Sequence, residues 1–200
     1  VMTTNFNESG AFYYTNPEEP SPDIQLHFAF SMVDQHGLKK HGRGGFTCHI
    51  CVLRPKSVGS VKLADANPNS PPLIDPAFLK DERDLDTMLA GVKQAQQIMQ
   101  APSFDAHRGK ALYAGASNDD EELKEDIRNR ADTIYHPVGT CKMGPDSDPN
   151  AVVDQRLRVR GIKSLRVIDA SIMPKIVSGN TNAPSIMIGE KGAHMILEDA

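Results

Sequence analysis

Ile24-Gln25-Leu26-His27-Phe28-Ala29-Phe30-Ser31-Met32, residues 24–32, alternates along its length. Ile24, Leu26, Phe28, Phe30 and Met32 fall on one face, and Gln25, His27, Ala29 and Ser31 on the other. A period of two is the mark of a half-buried strand. Phe46 to Leu53 repeats the pattern, with Phe46, Cys48, Ile50 and Val52 on a common face. Gly59-Ser60-Val61-Lys62-Leu63 reads as the next strand, antiparallel to its predecessor through a short turn. The Pro-rich stretch from Asn67 to Pro76 then ends the sheet region locally. Upstream, the first twenty residues close on Asn16-Pro17-Glu18-Glu19-Pro20 and are expected to wrap over a surface as turns.

Helical spacing takes over further on. Asp81 is expected to cap a helix from Glu82 to Met99, in which Leu85, Met88, Leu89, Val92, Ala95 and Met99 recur at helical intervals. Asp119 or Asp120 starts a second helix with Leu123 and Ile127 inward; its acidic first turn suits the macrodipole and is otherwise a solvated face. Gly161 to Ile168 reads as a strand. The last helix is expected from Pro184, suited to a first helical position, to Leu197, with its methionines in the core. Strands first and helices after give an α+β class: a largely antiparallel sheet flanked by helices, closed by a C-terminal strand–loop–helix.

Bulk properties exclude some functions. Hydrophobic residues are 39% of the 200, a share that predicts a modest core or one shared with another part. Twenty-two basic residues against 26 acidic ones give a net charge of −4 and no basic block, so there is no footprint for nucleic acid. No apolar run approaches the roughly 18 residues of a membrane span, and no signal-peptide pattern opens the chain. Three cysteines, Cys48, Cys51 and Cys141, argue against a closed disulfide framework and suit a reducing compartment. Cytoplasmic location is therefore expected. Val1 in place of Met hints at a chain that begins inside a longer reading frame, although an expression scar does the same.

Three segments concentrate the chemistry. In Tyr135-His136-Pro137-Val138-Gly139-Thr140-Cys141-Lys142-Met143-Gly144, Pro137 pushes His136 out of helical geometry and the glycines permit sharp turns. Histidine side chains titrate near neutrality, so one fixed on a rigid turn is a candidate general base; the plainer reading is a structural histidine bonded to a loop carbonyl. In Ile168-Asp169-Ala170-Ser171-Ile172-Met173-Pro174, Asp169 sits where strand ends often meet ligands, or simply caps a turn. Ser178 to Lys191 is a polar loop running into a helix, whose free N–H groups favour a negative group. Asn182 is there a candidate helix cap, a candidate site residue, or both. Cys48-His49-Ile50-Cys51 holds a C-x-x-C, but on a strand its two sulfurs point to opposite faces, and no second pair completes a metal site. No metal is expected.

Together, Tyr135 to Gly144, Leu165 to Ser171 and Gly179 to Lys191 resemble, in order and spacing, the C-terminal pattern of the glucose–methanol–choline (GMC) oxidoreductases. Cys51 to Val61 and Pro72-Leu73-Ile74-Asp75-Pro76 resemble the choline dehydrogenase and aliphatic alcohol dehydrogenase branch, so the likeness runs from Asp23 onward. The resemblance implies an FAD-dependent oxidation of an alcohol, choline or aliphatic, to an aldehyde. His136 matches the family's base, which takes the hydroxyl proton as hydride leaves for flavin N5. Asn182 matches the Asn version of the second residue on that oxygen; an amide cannot take the proton, so its part is orientation and alkoxide stabilisation. By the same likeness Asp169 and Ala170 contact the cofactor along its ribityl and pyrophosphate portion. Asn182, Ala183 and Pro184 belong to the cofactor site, where backbone groups around Ala183 to Ser185 face the pyrimidine edge, and His49 and Arg54 line the substrate cavity or serve only as strand residues.

One departure is large. The family's G-x-G-x-x-G is absent; Gly42-x-Gly44-Gly45 has the wrong spacing and no strand–helix context. The resemblance therefore implies a substrate-binding part at 1–135 and, at 136–200, the active-site loop with the last segment of the FAD-binding domain. The N-terminal dinucleotide-binding part is not in this chain. Such a fragment is expected to bind FAD weakly, to lack turnover alone, and to dimerise through apolar surface left bare. Membrane association of the full-length enzyme, and oxygen or another electron acceptor, stay open. A different class of reading is a free-standing, non-catalytic binding module that keeps the family's C-terminal shape.

Overall fold

The structure is a computed structural model describing residues 6–42 and 44–200, so Val1 and part of the basic loop Lys39 to Gly45 lie outside the described residues. It is α+β: the described residues form five strands and three α-helices, with antiparallel pairing in both sheets. The chain divides into two compact units, one of residues up to Val58 with Ala77–Asp132, the other Gly59–Pro76 with Thr133–Ala200.

The first unit is built on a three-stranded sheet in the order β1 (Asn7–Tyr13), β2 (Ile24–Ala29), β3 (Thr47–Val52). β2 forms as a strand but is covered on both faces, not one: Ile24 and Leu26 are buried with Cys48, Ile50 and Val52 packed against them, while Gln25 and Ala29 on the other face are buried too and Phe28 only partly. The strand ends at Ala29, however, and Phe30 is 61% exposed, so the pattern outran the ladder. Residues 7–13 are a strand, not turns. The reason is pairing, since β1 takes up the free edge of β2 with Ala11 opposite Leu26 and Tyr13 opposite Ile24. Its own sequence, with Phe12 left exposed between them, carries little period-two signal.

Helix α1 (Glu82–Met99) packs on this sheet. Asp81 caps it by accepting from the Arg83 N–H, and bonding to the Arg83 side chain holds the Asp81 carboxyl down at about 2. The Tyr13 hydroxyl donates to the Gly91 carbonyl at 2.8 Å, and burial pushes that phenol up. Helix α2 (Asp120–Arg130) is capped by Asp119 and buries Leu123 and Ile127 against Leu85 and Leu89 of α1.

The next strand does not pair as expected. β4 (Ser60–Lys62) leaves β3 and pairs with β5 (Leu73–Asp75), Val61 opposite Ile74. Two bonds explain the departure: the buried Asp84 carboxylate accepts from the Lys56 N–H at 2.7 Å and the Ser57 N–H at 2.8 Å. The chain after β3 is thereby tied to the first turn of α1 and cannot turn straight back. Pro71 and Pro72 fall just outside the second ladder, where no N–H is needed.

In the second unit the core is Val153, Leu157, Ile172, Met173 and Ile188. Residues 161–168 are not the expected strand. Gly161 and Ser164 have φ of 77° and 58°, and the segment folds back as a turn with one isolated bridge, Arg158 to Arg166. Helix α3 spans Asn182–Glu198, so Pro184 is its third residue, still among the N–H positions that need no helical partner. Met195 packs against the core, but Met187 is 58% exposed, contrary to the expectation that the helix's methionines are all buried. The far end of α3 is tied down by Asp199, which accepts from Arg158, Arg166 and Arg156; the first two hold its carboxyl far below the usual range. Among the described residues no helix is long and apolar enough to cross a membrane.

Candidate active site

His136 is set by its neighbours on both sides. Tyr135 is left-handed at φ 64°, an unusual state for a bulky residue, and its N–H donates to Thr133 Oγ1 at 2.9 Å. Pro137 keeps His136 out of the helical region. Gly139, at φ 89°, then turns the chain where a side chain would press on the Met173 carbonyl, 3.2 Å from an added Cβ. The loop beyond is stitched to the second motif: the Cys141 N–H donates to the Ser171 carbonyl at 2.9 Å, and that of Met143 to Ile172 at 2.7 Å. Cys141 is thus a half-buried packing residue of this seam.

Both ring nitrogens of His136 are engaged. Nδ1 lies 2.8 Å from Thr181 Oγ1, and Nε2 lies 3.1 Å from the side-chain amide nitrogen of Asn180. The structure therefore brings the first and third motifs together in one unit, through two residues that sequence reasoning passed over. The available signal was that Asn180 and Thr181 sit in the polar loop just before a helix, where cap-forming side chains gather. Thr181, not Asn182, holds the cap position; it is 8% exposed, and its side chain makes no cap hydrogen bond. Asn182 is the exposed first residue of α3, and the hydrogen bonds of the His136 ring go to Thr181 and Asn180.

Asp169 opens a single 3-10 turn, Ala170–Ile172, and accepts from the Ser171 N–H at 2.7 Å. It is exposed and Ala170 half-buried. One carboxylate oxygen serves the turn, and a carboxylate has a second oxygen able to accept, so capping and ligand contact are compatible.

The residues named for a cofactor suit a polar, electron-rich group. At the start of α3, Asn182 and Ala183 are exposed, and the helix lacks a side-chain cap. The N–H groups and positive dipole end of such a helix face outward. An added Cβ at Gly179 would meet nothing within 4 Å, so the approach is open. These features fit the pyrimidine edge of a flavin, and the acceptor on Asp169 fits a hydroxylated chain.

Elsewhere, Arg54 is committed to its own unit: it bonds Ser21 Oγ at 2.5 Å, the Ser21 carbonyl at 2.7 Å and Glu19 at 2.6 Å. Cys48 and Cys51 both lie on β3, three residues apart and hence on opposite faces; burial pushes the Cys48 thiol up to about 11 and raises that of Cys51 as well. His49 stands opposite His27 across the β2–β3 pair. Burial first, then His27, Arg130 and His36, hold its imidazole below the ordinary histidine value. A folded value below the unfolded one of about 6.5 means that the unfolded chain binds the extra proton as pH falls. Stability present above that range is lost downward through it. Thermal unfolding followed from pH 7 to pH 5 is expected to show a falling midpoint in this protein and a flatter profile in His49→Gln; matching profiles would remove His49 as the cause.

The sequence model described as GMC oxidoreductase matches residues 55–189. The chain belongs to the GMC oxidoreductase family. An alcohol dehydrogenase (acceptor) of Pseudomonas putida is 49% identical over 98% of this chain and 35% of its own length. Human mitochondrial choline dehydrogenase is 45% identical over 94% of the chain and 32% of its length. An oxygen-dependent choline dehydrogenase of Escherichia coli is 40% identical over 98% and 35%. Among solved structures, pyridoxine 4-oxidase from Mesorbium loti superposes with a TM-score of 0.87 at 28% identity, over 96% of this chain and 38% of that one. Formate oxidase superposes with a TM-score of 0.82 at 27% identity, over 90% and 32%. Solved structures of the Aspergillus oryzae formate oxidase address modification of its FAD, which marks that GMC neighbour as a flavoprotein. This GMC chain spans about a third of the length of the curated relatives it matches.

Proposed function

We propose that this chain is the C-terminal part of an FAD-dependent enzyme that oxidises an alcohol, choline or aliphatic, to its aldehyde, with His136 as the base. The observation that carries the reading is the His136 ring, held at both nitrogens by the loop that opens α3, in a chain of the GMC oxidoreductases. When bound, the flavin supplies the two-electron acceptor for the alcohol's α-hydrogen, which leaves as hydride. His136 takes the hydroxyl proton at Nε2, because an alkoxide gives up hydride far more readily than a neutral alcohol. Asn182 donates its amide N–H to the same oxygen and steadies the developing negative charge. Asp169 and Ala170 hold the cofactor along its ribityl and pyrophosphate portion, and Asn182, Ala183 and Pro184 hold its pyrimidine edge.

On this reading residues 1–135 face the substrate, and residues 136–200 combine the active-site loop with a segment of the FAD-binding domain. FAD retention and turnover then need the N-terminal portion. In the isolated chain Ile186 and Met187 of α3 are exposed, which supports self-association through that helix. The test is product formation. Full-length protein given choline or 1-octanol with a dye acceptor is expected to form the aldehyde from one of them; a flavin-loaded protein forming aldehyde from neither refutes the reading.

A further inference from the structure

We infer that Thr181 is a positioning residue that holds His136 as its Nδ1–H tautomer, so that the Nε2 lone pair is the one offered to the alcohol. The inference rests on the proposed role of His136 as base. A neutral imidazole has one N–H and one lone pair, and the bond made at one nitrogen decides what the other presents. Here the two contacts select the same state. The Asn180 amide nitrogen, 3.1 Å from Nε2, has only hydrogens to give, so Nε2 accepts. The hydrogen is then on Nδ1, and Thr181 Oγ1, 2.8 Å away, accepts it. The opposite tautomer would set N–H against N–H at Nε2.

The placement of Thr181 points the same way. It occupies the cap position of α3, where a threonine hydroxyl ordinarily accepts from the first helical N–H groups, yet it makes no such bond. It is buried, and its hydroxyl goes to the histidine. Its backbone carbonyl receives both the Ser185 N–H and the Ser185 hydroxyl, so the residue is fixed by the helix while its side chain turns to the ring. When Nε2 takes the substrate proton, the Nδ1–H bond to Thr181 remains and strengthens with the charge. The Asn180 contact is given up before that step, because Nε2 has one lone pair and the alcohol hydroxyl takes the amide's place on it. Thr181 therefore serves both protonation states and Asn180 only the resting one.

The experiment uses full-length protein carrying 15N-labelled histidine, with the His136 signal assigned by its loss in His136→Ala. Wild type is expected to show the Nδ1–H tautomer. Thr181→Val, similar in volume and without an acceptor, is expected to lose that single signature. It should also slow flavin reduction by alcohol by roughly tenfold to a hundredfold, the usual effect of losing a group that orients a functional histidine, with KM unchanged. Thr181→Ser is expected to restore both. An Nε2–H tautomer in wild type overturns the inference without any activity measurement. Wild-type rates in Thr181→Val beside an inactive His136→Ala overturn it and leave His136 as base. Full activity in His136→Ala removes the base and this inference with it. Should Thr181→Val not fold, the wild-type tautomer and the Thr181→Ser rate still decide.

Discussion

His136→Ala in the full-length protein is expected to slow alcohol-driven bleaching of the flavin band by about a hundredfold to ten-thousandfold, the range for loss of a positioned general base. Flavin content is expected to stay normal. The ring is half-buried and its two nitrogens bond Thr181 and Asn180, so its removal takes away the proton acceptor without cutting into the core of Val153, Leu157 and Ile172. The two readouts separate chemistry from folding. A variant that bleaches at the wild-type rate shows that another group takes the proton, whereas one that loses flavin shows that the histidine holds the site together.

Gly192→Val is expected to destabilise the second unit by about 3 kcal/mol or more, in the upper range for overpacking a tight contact. A Cβ at this position would stand 2.3 Å from Ile168 Cγ2 and 3.0 Å from its Cδ1. The blocking atom is on a β-branched side chain whose χ1 is stiff, so it cannot swing clear. Glycine inside a helix ordinarily costs about 1 kcal/mol relative to alanine; here it lets α3 settle onto Ile168, the residue that immediately precedes Asp169. The substitution therefore acts on the site as well as on stability. Thermal unfolding should show a lowered midpoint, and full-length Gly192→Val should retain less flavin than wild type. An unchanged midpoint would mean that α3 is not seated on Ile168.

Elements whose cause is local were legible in the residues. Helix α1 runs from Glu82 to Met99 behind its Asp81 cap as its spacing and cap residue foretell, and Leu123 and Ile127 turn inward on α2. Elements whose cause is distant were not. Nothing within Ser60-Val61-Lys62 says that it pairs with Leu73-Ile74-Asp75; that follows from Asp84, on another element, holding Lys56 and Ser57. Residues 7–13 become a strand because β2 has an edge to offer. Residues 161–168 looked like a strand because Ile162, Leu165, Val167 and Ile168 are apolar, yet the chain reverses through Gly161 and Ser164.

The site divides along the same line. His136, Asp169 and the loop before α3 stood out because proline, glycine and polar residues cluster there. Helical register decides which loop residue reaches the ring. The helix starts at Asn182, which places Thr181 and Asn180 against the imidazole. A boundary two residues later, as Pro184 suggested, hid that relation.

On the proposed reading, breakage of an alcohol C–H bond accompanies proton transfer to His136. The deciding experiment mixes oxygen-free full-length protein with a primary alcohol and with its α,α-dideuterated form, and follows the flavin band through a single turnover. Both are expected to bleach the band and yield aldehyde, with the deuterated alcohol distinctly slower. Bleaching at identical rates, or a band that neither choline nor an aliphatic alcohol alters, would contradict it.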